Sequence, residues 1–359
     1  MHATADPEAY HRMLLRLSGR MPDDLISETR RWLAAGLLTE VAQAVTFAAL
    51  TGRVAVTEDD AALLVTGGAD PDAVAGIARA TVDEPSPFGA APVGPDVLAD
   101  HGDRMPHCLD LTGGYDGPGA ADDLDRTAVA AVTGMHAVGD AESGRPVALW
   151  RGWRYPGMIT AWPPPKRVFL LLAGGTGAAR LAAGAQSALE AAGERHPQVE
   201  VFADPDELPP YQRTTFGMAA LLWAAEPAVP VRVAPIFPGE QAIDGIAAPG
   251  FGPDHPTLDD GERAAVLSYL DSGAPLVLTT ERAPDLVRPE RHGGVPMSFR
   301  TDGGWIWADA IGFYLREYHL APDPGLLAAI RAHGHRTPAV GPVALHRALT
   351  ALYALPEPR

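Results

Sequence analysis

Val168–Ala203, VFLLLAGGTGAARLAAGAQSALEAAGERHPQVEVFA, decides the fold class. Val168 to Leu172 is a short unbroken apolar run, the pattern of a strand buried on both faces. Ala173-Gly174-Gly175-Thr176-Gly177 ends it with a turn. Ala178 to Ala192 has the composition of a helix, and Val199 to Ala203 reads as a second strand. Downstream, Tyr211 to Ala225 reads as a second helix with Phe216, Leu221, Leu222 and Trp223 to bury, and Val231 to Phe237 as a third strand. Strand–helix–strand–helix–strand predicts an α/β fold with a parallel or mixed sheet and right-handed crossovers. Upstream, Val129 to Val138 and Pro146 to Trp153 flank Asp140-Ala141-Glu142-Ser143-Gly144, which predicts a hairpin.

The first 80 residues read as helices. Tyr10, Met13, Leu14 and Leu17 have helix spacing. Pro22-Asp23-Asp24 opens a second helix, since proline suits the first turn and carboxylates suit the positive end of the helix dipole. Leu37 to Leu50 predicts a third, stopped at Gly52. Thr57-Glu58-Asp59-Asp60 is a cap and first turn before Ala61 to Val65, and Asp70 to Ala80 predicts another helix. Asp83 to Asp103, rich in Pro and Gly, and Gly113 to Gly119 mark irregular connections. Leu258 to Ser272 reads as a helix capped near Thr257 or Asp259, Pro275 to Thr280 as a strand, and Pro324 to His333 and Pro342 to Leu355 as helices. The expected division is a helical region at 1–82, a linker at 83–121, an α/β domain at 122–240 and a C-terminal hairpin-and-helix module at 241–359. The chain has 359 residues, more than one typical core, which agrees with several parts.

Val295–Leu320, VPMSFRTDGGWIWADAIGFYLREYHL, has alternating runs on either side of Asp302-Gly303, a strong hairpin signal. A two-residue turn pairs Arg300 with Trp305, Phe299 with Ile306 and Ser298 with Trp307. Met297, Phe299, Ile306 and Ala308 then share a core face, and Ser298, Arg300, Trp305 and Trp307 share the other. Arg300 beside Trp305 predicts a cation–π contact. The first expectation for both Trp is packing under the helix Asp309–Leu320. The functional expectation is a partner- or ligand-binding surface made by Arg300, Trp305, Trp307 and Ser298, because Trp and Arg are enriched in binding hot spots.

Charge and composition bound the function. Net charge is −17, from 45 acidic and 28 basic residues. Such a field disfavours nucleic acid and anionic membrane and favours a basic protein partner. Cys108 is the only cysteine, which excludes an intramolecular disulfide and a Cys-rich zinc site. No leader pattern and no apolar run of about 18 residues occurs, so the expected location is the cytoplasm. The excess of Ala, Gly, Pro, Arg and Asp over Lys, Asn and Ile fits a high-GC bacterial gene.

Catalytic motifs are absent: no G-x-S-x-G, H-E-x-x-H, deaminase or kinase signature occurs. His333-x-His335 lacks a third nearby ligand, and His107-Cys108 with Asp110 does not by itself make a thiol site. Trp150-Arg151-Gly152-Trp153-Arg154-Tyr155 reads as Arg stacked on Trp. Gly174, Gly175, Thr176 and Gly177 stand where a phosphate-binding turn stands, with Asp204 after the next strand in the position of a ribose-binding acid. G-x-G-x-x-G fails at Arg180 and the Walker lysine is missing, so a plain strand-to-helix turn is the first reading and a phosphoryl ligand the second. No cofactor or metal is expected.

The run VPMSFRTDGGWIWADAIGFYLREYHLAPDPGLLAAI, within residues 258–333, resembles a module of uncharacterised high-GC bacterial proteins found near polymorphic-toxin loci; the preceding part, with PYQR and ALLW, looks like its fusion partner. The resemblance implies an immunity-like or accessory protein and attaches no characterised activity or catalytic residues to either part. The leading expectation is a non-enzymatic cytosolic protein that binds a basic protein partner. The alternatives are a nucleotide- or phosphoryl-binding enzyme or sensor using residues 174–177, and a structural subunit of a larger assembly. Oligomeric state is left open.

Overall fold

A computed structural model describes residues 6–80, 86–139, 144–157, 164–237, 239–243, 246–252, 254–290 and 293–354. The fold is mixed α/β. The chain divides into two compact units, Met1–Ala228 and Val229–Arg359. The helical N-terminal region and the α/β region therefore belong to one unit, and the division falls at 228/229 where 240/241 was expected.

The first unit begins with five helices: α1 (Pro7–Leu17), α2 (Asp23–Ala34), α3 (Leu38–Gly52), α4 (Glu58–Thr66) and α5 (Pro71–Ala75). Asp6 caps α1 by accepting the Glu8 N–H at 3.0 Å, and Pro7 stands in the first turn. Tyr10, Met13, Leu14 and Leu17 are all buried, as their spacing predicts. They join Ile26, Val41, Val45 and Leu64 in a core of their own. Thr57 and Asp60 form a capping box at the start of α4. The helix expected over Asp70–Ala80 stops at Ala75, and Arg79 instead bridges to Val56.

The sheet of this unit contains β1 (Gly89–Ala91), β2 (Leu109–Asp110), β3 (Arg145–Tyr155), β4 (Lys166–Gly174), β5 (Gln198–Phe202) and β6 (Ala219–Ala224). Its order is β2-β6-β3-β4-β5, with β1 paired to the end of β3. β4–β5 and β2–β6 are parallel, and the other pairs are antiparallel. The remaining helices are α6 (Pro95–His101), α7 (Asp123–Val138), α8 (Ala178–Ala191) and α9 (Pro210–Gly217). β4, α8 and β5 realise the expected strand–helix–strand unit. Phe169, Leu171, Val199 and Val201 pack with Val132 of α7 and with Leu181, Ala185 and Leu189 of α8. Each fully buried side chain of this size contributes about 1.5–3 kcal/mol.

Two expected elements change type. Val129–Val138 is the second half of α7, because Asp122 and Asp125 form a capping box that starts a helix ahead of it. Residues 219–224 form β6, because α9 ends at Gly217 and Ala219, Ala220, Leu221 and Leu222 fill a strand buried on both faces. The partner of β3 is β4, and residues 140–143 of the expected turn lie outside the described residues.

The Trp150–Tyr155 stretch is structural, with partners other than those expected. Trp150 is buried edge-on against Phe216 at 4.9 Å. Arg151 pairs with Asp125 and donates to Gly119 O at 2.7 Å. Arg154 grips both oxygens of Asp23 at 2.9 and 2.7 Å. Arg167 is the guanidinium that stacks on Trp153, 5.0 Å from the ring centre.

The second unit contains β7 (Arg232–Val233), β8 (Gly239–Ile243), β9 (Ile246–Gly250), α10 (Asp260–Ser272), β10 (Ala274–Val277), β11 (Arg282–Ala283), β12 (Val295–Pro296), β13 (Phe299–Thr301), β14 (Trp305–Ala308), α11 (Asp309–Tyr318), α12 (Pro324–Ala332) and α13 (Pro342–Tyr353). Its main sheet runs β10-β13-β14-β7, with β14 and β7 parallel. Asp259 caps α10 through the N–H groups of Gly261 and Glu262. Val266, Tyr269, Leu270, Trp307, Ile311, Leu315, Leu326 and Ile330 form the core.

The β13–β14 pairing is Thr301 with Ile306, Arg300 with Trp307 and Phe299 with Ala308. The connection is therefore four residues, not two. Asp302 Oδ1 accepts from Gly304 N at 2.8 Å and Trp305 N at 2.6 Å, and Thr301 Oγ1 donates to Trp305 O at 2.6 Å. These side chains supply a turn that a backbone-only count does not anticipate. The displacement is two residues, so the faces keep their expected membership.

Candidate functional site

β4 ends at Gly174, and Gly175 and Gly177 then adopt φ of +85° and +89°. Only glycine takes these values without strain, so the turn can bend sharply into α8. Gly177 is the N-cap of α8 and has no side chain to satisfy the helix end. The partner comes from α1: Glu8 Oε1 accepts the Gly177 N–H at 2.7 Å. A carboxylate is favoured there by the positive end of the helix. The place a phosphoryl oxygen would take at such a turn is thus held by the protein's own acid. Asp204 follows β5 and caps the short turn after it, accepting from Asp206 N at 2.9 Å.

Between α1 and the C-terminal ends of β4 and β5 lies a cavity of about 150 Å³. Glu8, His11, Arg12, Leu15 and Arg16 of α1 form one wall. Residues 173–176 and Val201–Asp204 form the floor and far wall, with Glu207, Leu208 and Pro209 beside them. The sheet geometry explains the position. β4 and β5 are parallel, so their C-terminal ends lie side by side and the cavity sits just beyond them. A second, shallower depression of about 360 Å³ lies on the other side of Arg12 and Arg16, toward Asp59, Asp60 and Leu63 of the α4 side.

The side chains in the first cavity differ in what they have left to offer. Arg16 is committed to buried Asp60, with Nε 3.2 Å from Oδ2. Arg12 is 57% exposed, and its ion pair is a loose one with Asp6 Oδ2 at 3.8 Å. His11 is 3% exposed. Its Nε2 lies 2.8 Å from Val201 O. A carbonyl only accepts, so Nε2 carries the proton and Nδ1 presents a lone pair. That Nδ1 has no partner among the described residues. Burial, first among several influences, lowers the His11 pKa and keeps the ring neutral.

Of the residues singled out in the sequence, Gly174, Gly175, Thr176 and Asp204 meet in this cavity, and Gly177 stands just behind it. The other set has internal partners. Trp307 is fully buried, and its Nε1 donates to Leu270 O at 3.3 Å. Arg300 pairs with Asp309 at 2.8 Å and donates to Asp271 O and Gly273 O. Ser298 exchanges hydrogen bonds with Thr279 at 3.2 Å. Trp305 is half-buried against Gly325, and the guanidinium over its ring is Arg232, 5.6 Å from the centre. Arg300 is not its cation–π partner.

Glu8, His11, Arg12 and Arg16 went unread in the sequence. Their spacing on α1 is i, i+3, i+4 and i+8, one stripe beside the apolar one, and a stripe of charged residues ordinarily reads as a solvated face. Cys108 lies elsewhere, 2% exposed, with its thiol pKa pushed up to about 11 by burial, so it is not a poised nucleophile. No group of three or more metal-ligating side chains occurs among the described residues, and no described helix is long and apolar enough to cross a membrane.

The chain matches no family model, no curated protein and no solved structure.

Proposed function

We propose that this protein binds a small molecule in the cavity between α1 and the C-terminal ends of β4 and β5. The observation that carries the reading is the cavity itself, about 150 Å³, lined by α1, the Gly174–Thr176 turn and the Asp204 end of β5. The cavity also holds a loosely paired guanidinium, Arg12, and lies beyond the C-terminal ends of two parallel strands. Its chemistry is that of recognition: the thiol is elsewhere, and Glu8 is engaged in capping α8.

The test is a thermal-shift screen of small metabolites on the full chain and on Ala203→Trp. Ala203 is exposed at the cavity wall, so the indole fills the cavity from outside the core. Compounds should raise the melting temperature of the parent and not of the filled variant. Shifts that survive in Ala203→Trp, or none across the library, would overturn the reading.

A second reading is favoured by one observation, the net charge of −17. We propose that the acidic surface meets a basic protein partner, as an immunity-like or accessory protein would. Affinity capture in low and in raised salt tests it. A partner held by charge is lost as salt rises, and a chain that recovers no basic protein at low salt contradicts it.

A further inference from the structure

We infer that the outer face of α3 is a docking site for a basic, amphipathic helical segment of a protein partner. The inference rests on the reading that the acidic surface meets a basic protein, and it gives that reading a place. α3 has 15 residues, LTEVAQAVTFAALTG, and a single charged side chain, Glu40. Its neighbour α2 has five in 12 residues. A surface helix ordinarily turns a charged face to water. α3 instead buries Val41, Ala42, Val45 and Ala49 and leaves Phe47 and Leu50 outside, 70% and 38% exposed. Phe47 is the most exposed aromatic side chain among the described residues. Glu40, Gln43, Phe47 and Leu50 are spaced i, i+3, i+7 and i+10, one stripe of the helix, and all four are exposed. The end of α5 extends the stripe, with Ala75 and Gly76 exposed beside Leu50. Leu50 Cδ2 and Asp72 O lie 3.4 and 3.9 Å from the point that a Cβ on Gly76 would take. The apolar stripe thus has a carboxylate residue at each end, Glu40 and Asp72.

Charge selects the partner. Met1–Ala228 holds 30 of the 45 acidic and 17 of the 28 basic residues, so it carries −13 of the net −17. Residues 37–80 hold six acids and two arginines. Arg79 pairs with Glu58 at 3.2 Å, and Asp60 is matched by Arg16. That leaves Glu40, Asp59, Asp70 and Asp72 against Arg53, none of them in an ion pair among the described residues. A second copy of this chain, or an anionic membrane, would bring like charge to this face. A basic amphipathic helix matches it, with apolar side chains on Phe47 and Leu50 and cations on the flanking carboxylates. A straight stripe of about three turns is what a helix laid alongside can follow.

Fluorescence anisotropy of labelled 14-residue peptides, titrated with the full-length protein, tests this. The probes are a Leu/Lys helix with its leucines in one seam, the same peptide with Glu for Lys, and the same with Gln for Leu. The Leu/Lys peptide should bind saturably at low salt and weaken as salt rises. Each of the other two lacks one half of the match and should bind about tenfold or more weakly. Phe47→Gln puts a good helix former at an exposed position, so the fold stays intact, and it should weaken the Leu/Lys peptide by a similar factor. Binding unchanged by Phe47→Gln overturns the α3 site and leaves the acidic-surface reading standing. Equal binding of the Leu/Glu peptide overturns the basic partner. A dimer of the parent in sedimentation that Phe47→Gln dissolves overturns the inference in favour of a second copy. No peptide binding overturns the α3 site, and joined to an affinity capture that recovers no basic protein at low salt it overturns both readings.

Discussion

Arg30→Met should destabilise the first unit by about 3–5 kcal/mol, the cost of leaving one member of a buried ion pair alone. Arg30 and Glu200 have fully buried side chains and face each other between α2 and β5. Without the guanidinium, Glu200 Oε2 keeps Ser18 Oγ at 3.3 Å and Gln212 Nε2 at 3.2 Å. These are neutral donors worth about 0.5–1.5 kcal/mol each, and they do not replace a cation. Glu200→Leu should cost a similar amount, because Arg30 is then left with the Ser18 hydroxyl at 2.7 Å and no counterion. The double variant removes both charges and fills the space with apolar atoms, so it should lose clearly less than the sum of the singles. The coupling should be about 2 kcal/mol or more. The assay is denaturant-dependent hydrogen exchange, read on peptides covering α2 and β5, which isolates this unit in a two-unit chain. Strictly additive losses, or singles that each cost under about 1 kcal/mol, would refute a buried pair.

Three further outcomes follow from the structure. A Cβ on Gly273 would stand 2.2 Å from Cζ2 of buried Trp307, so Gly273→Ala should lower stability by about 1–3 kcal/mol in a thermal melt; an unchanged melt means that the indole is not packed there. His11 has its pKa lowered by burial, so below about pH 6.5 the unfolded chain binds a proton that the folded chain does not. Its contribution is therefore full above that pH and shrinks as pH falls, and His11→Gln should flatten the decline in stability between about pH 7 and 5 relative to the parent. An identical pH slope in the two proteins contradicts this. Cys108, buried and with its thiol pushed up to about 11, should resist alkylation at about pH 8 until denaturant is added; prompt labelling of the native protein contradicts its burial.

Much of the fold was legible where local chemistry is decisive. The 168–203 unit combined an apolar run, a glycine turn and an Ala-rich helix, and each signal agreed with the others. Caps were legible too, as Thr57-x-x-Asp60 shows. Legibility failed where burial erases period. Residues 219–222 are buried on both faces and have helix-like composition, so only the helix break at Gly217 distinguishes the strand. Val129, Val132 and Val138 suggested a strand, and the Asp122–Asp125 capping box outweighed them. The hairpin register slipped because Thr301 and Asp302 side chains, not the Asp-Gly pair alone, build the turn.

The candidate site was half legible. Gly174–Gly177 and Asp204 announced the ends of two adjacent strands, because glycine turns and acids after strands have local signatures. The other wall had none. Glu8 meets Gly177 across 169 positions of sequence, and His11 meets Val201 across 190. Nothing local to α1 says that its polar stripe faces strand ends, and no local rule says that one imidazole nitrogen will be left without a donor. Conversely, Trp305 and Trp307 drew attention by residue type, and the structure uses them in packing.

The central claim is that this cavity is where the protein meets its ligand. Hydrogen exchange of the full chain, with and without a saturating compound that raises its melting temperature in the metabolite screen, tests it most directly. Protection is predicted over residues 8–16, 173–181 and 201–209, with residues 295–308 unchanged. Protection centred on 295–308, with no change along α1 and the ends of β4 and β5, would contradict it.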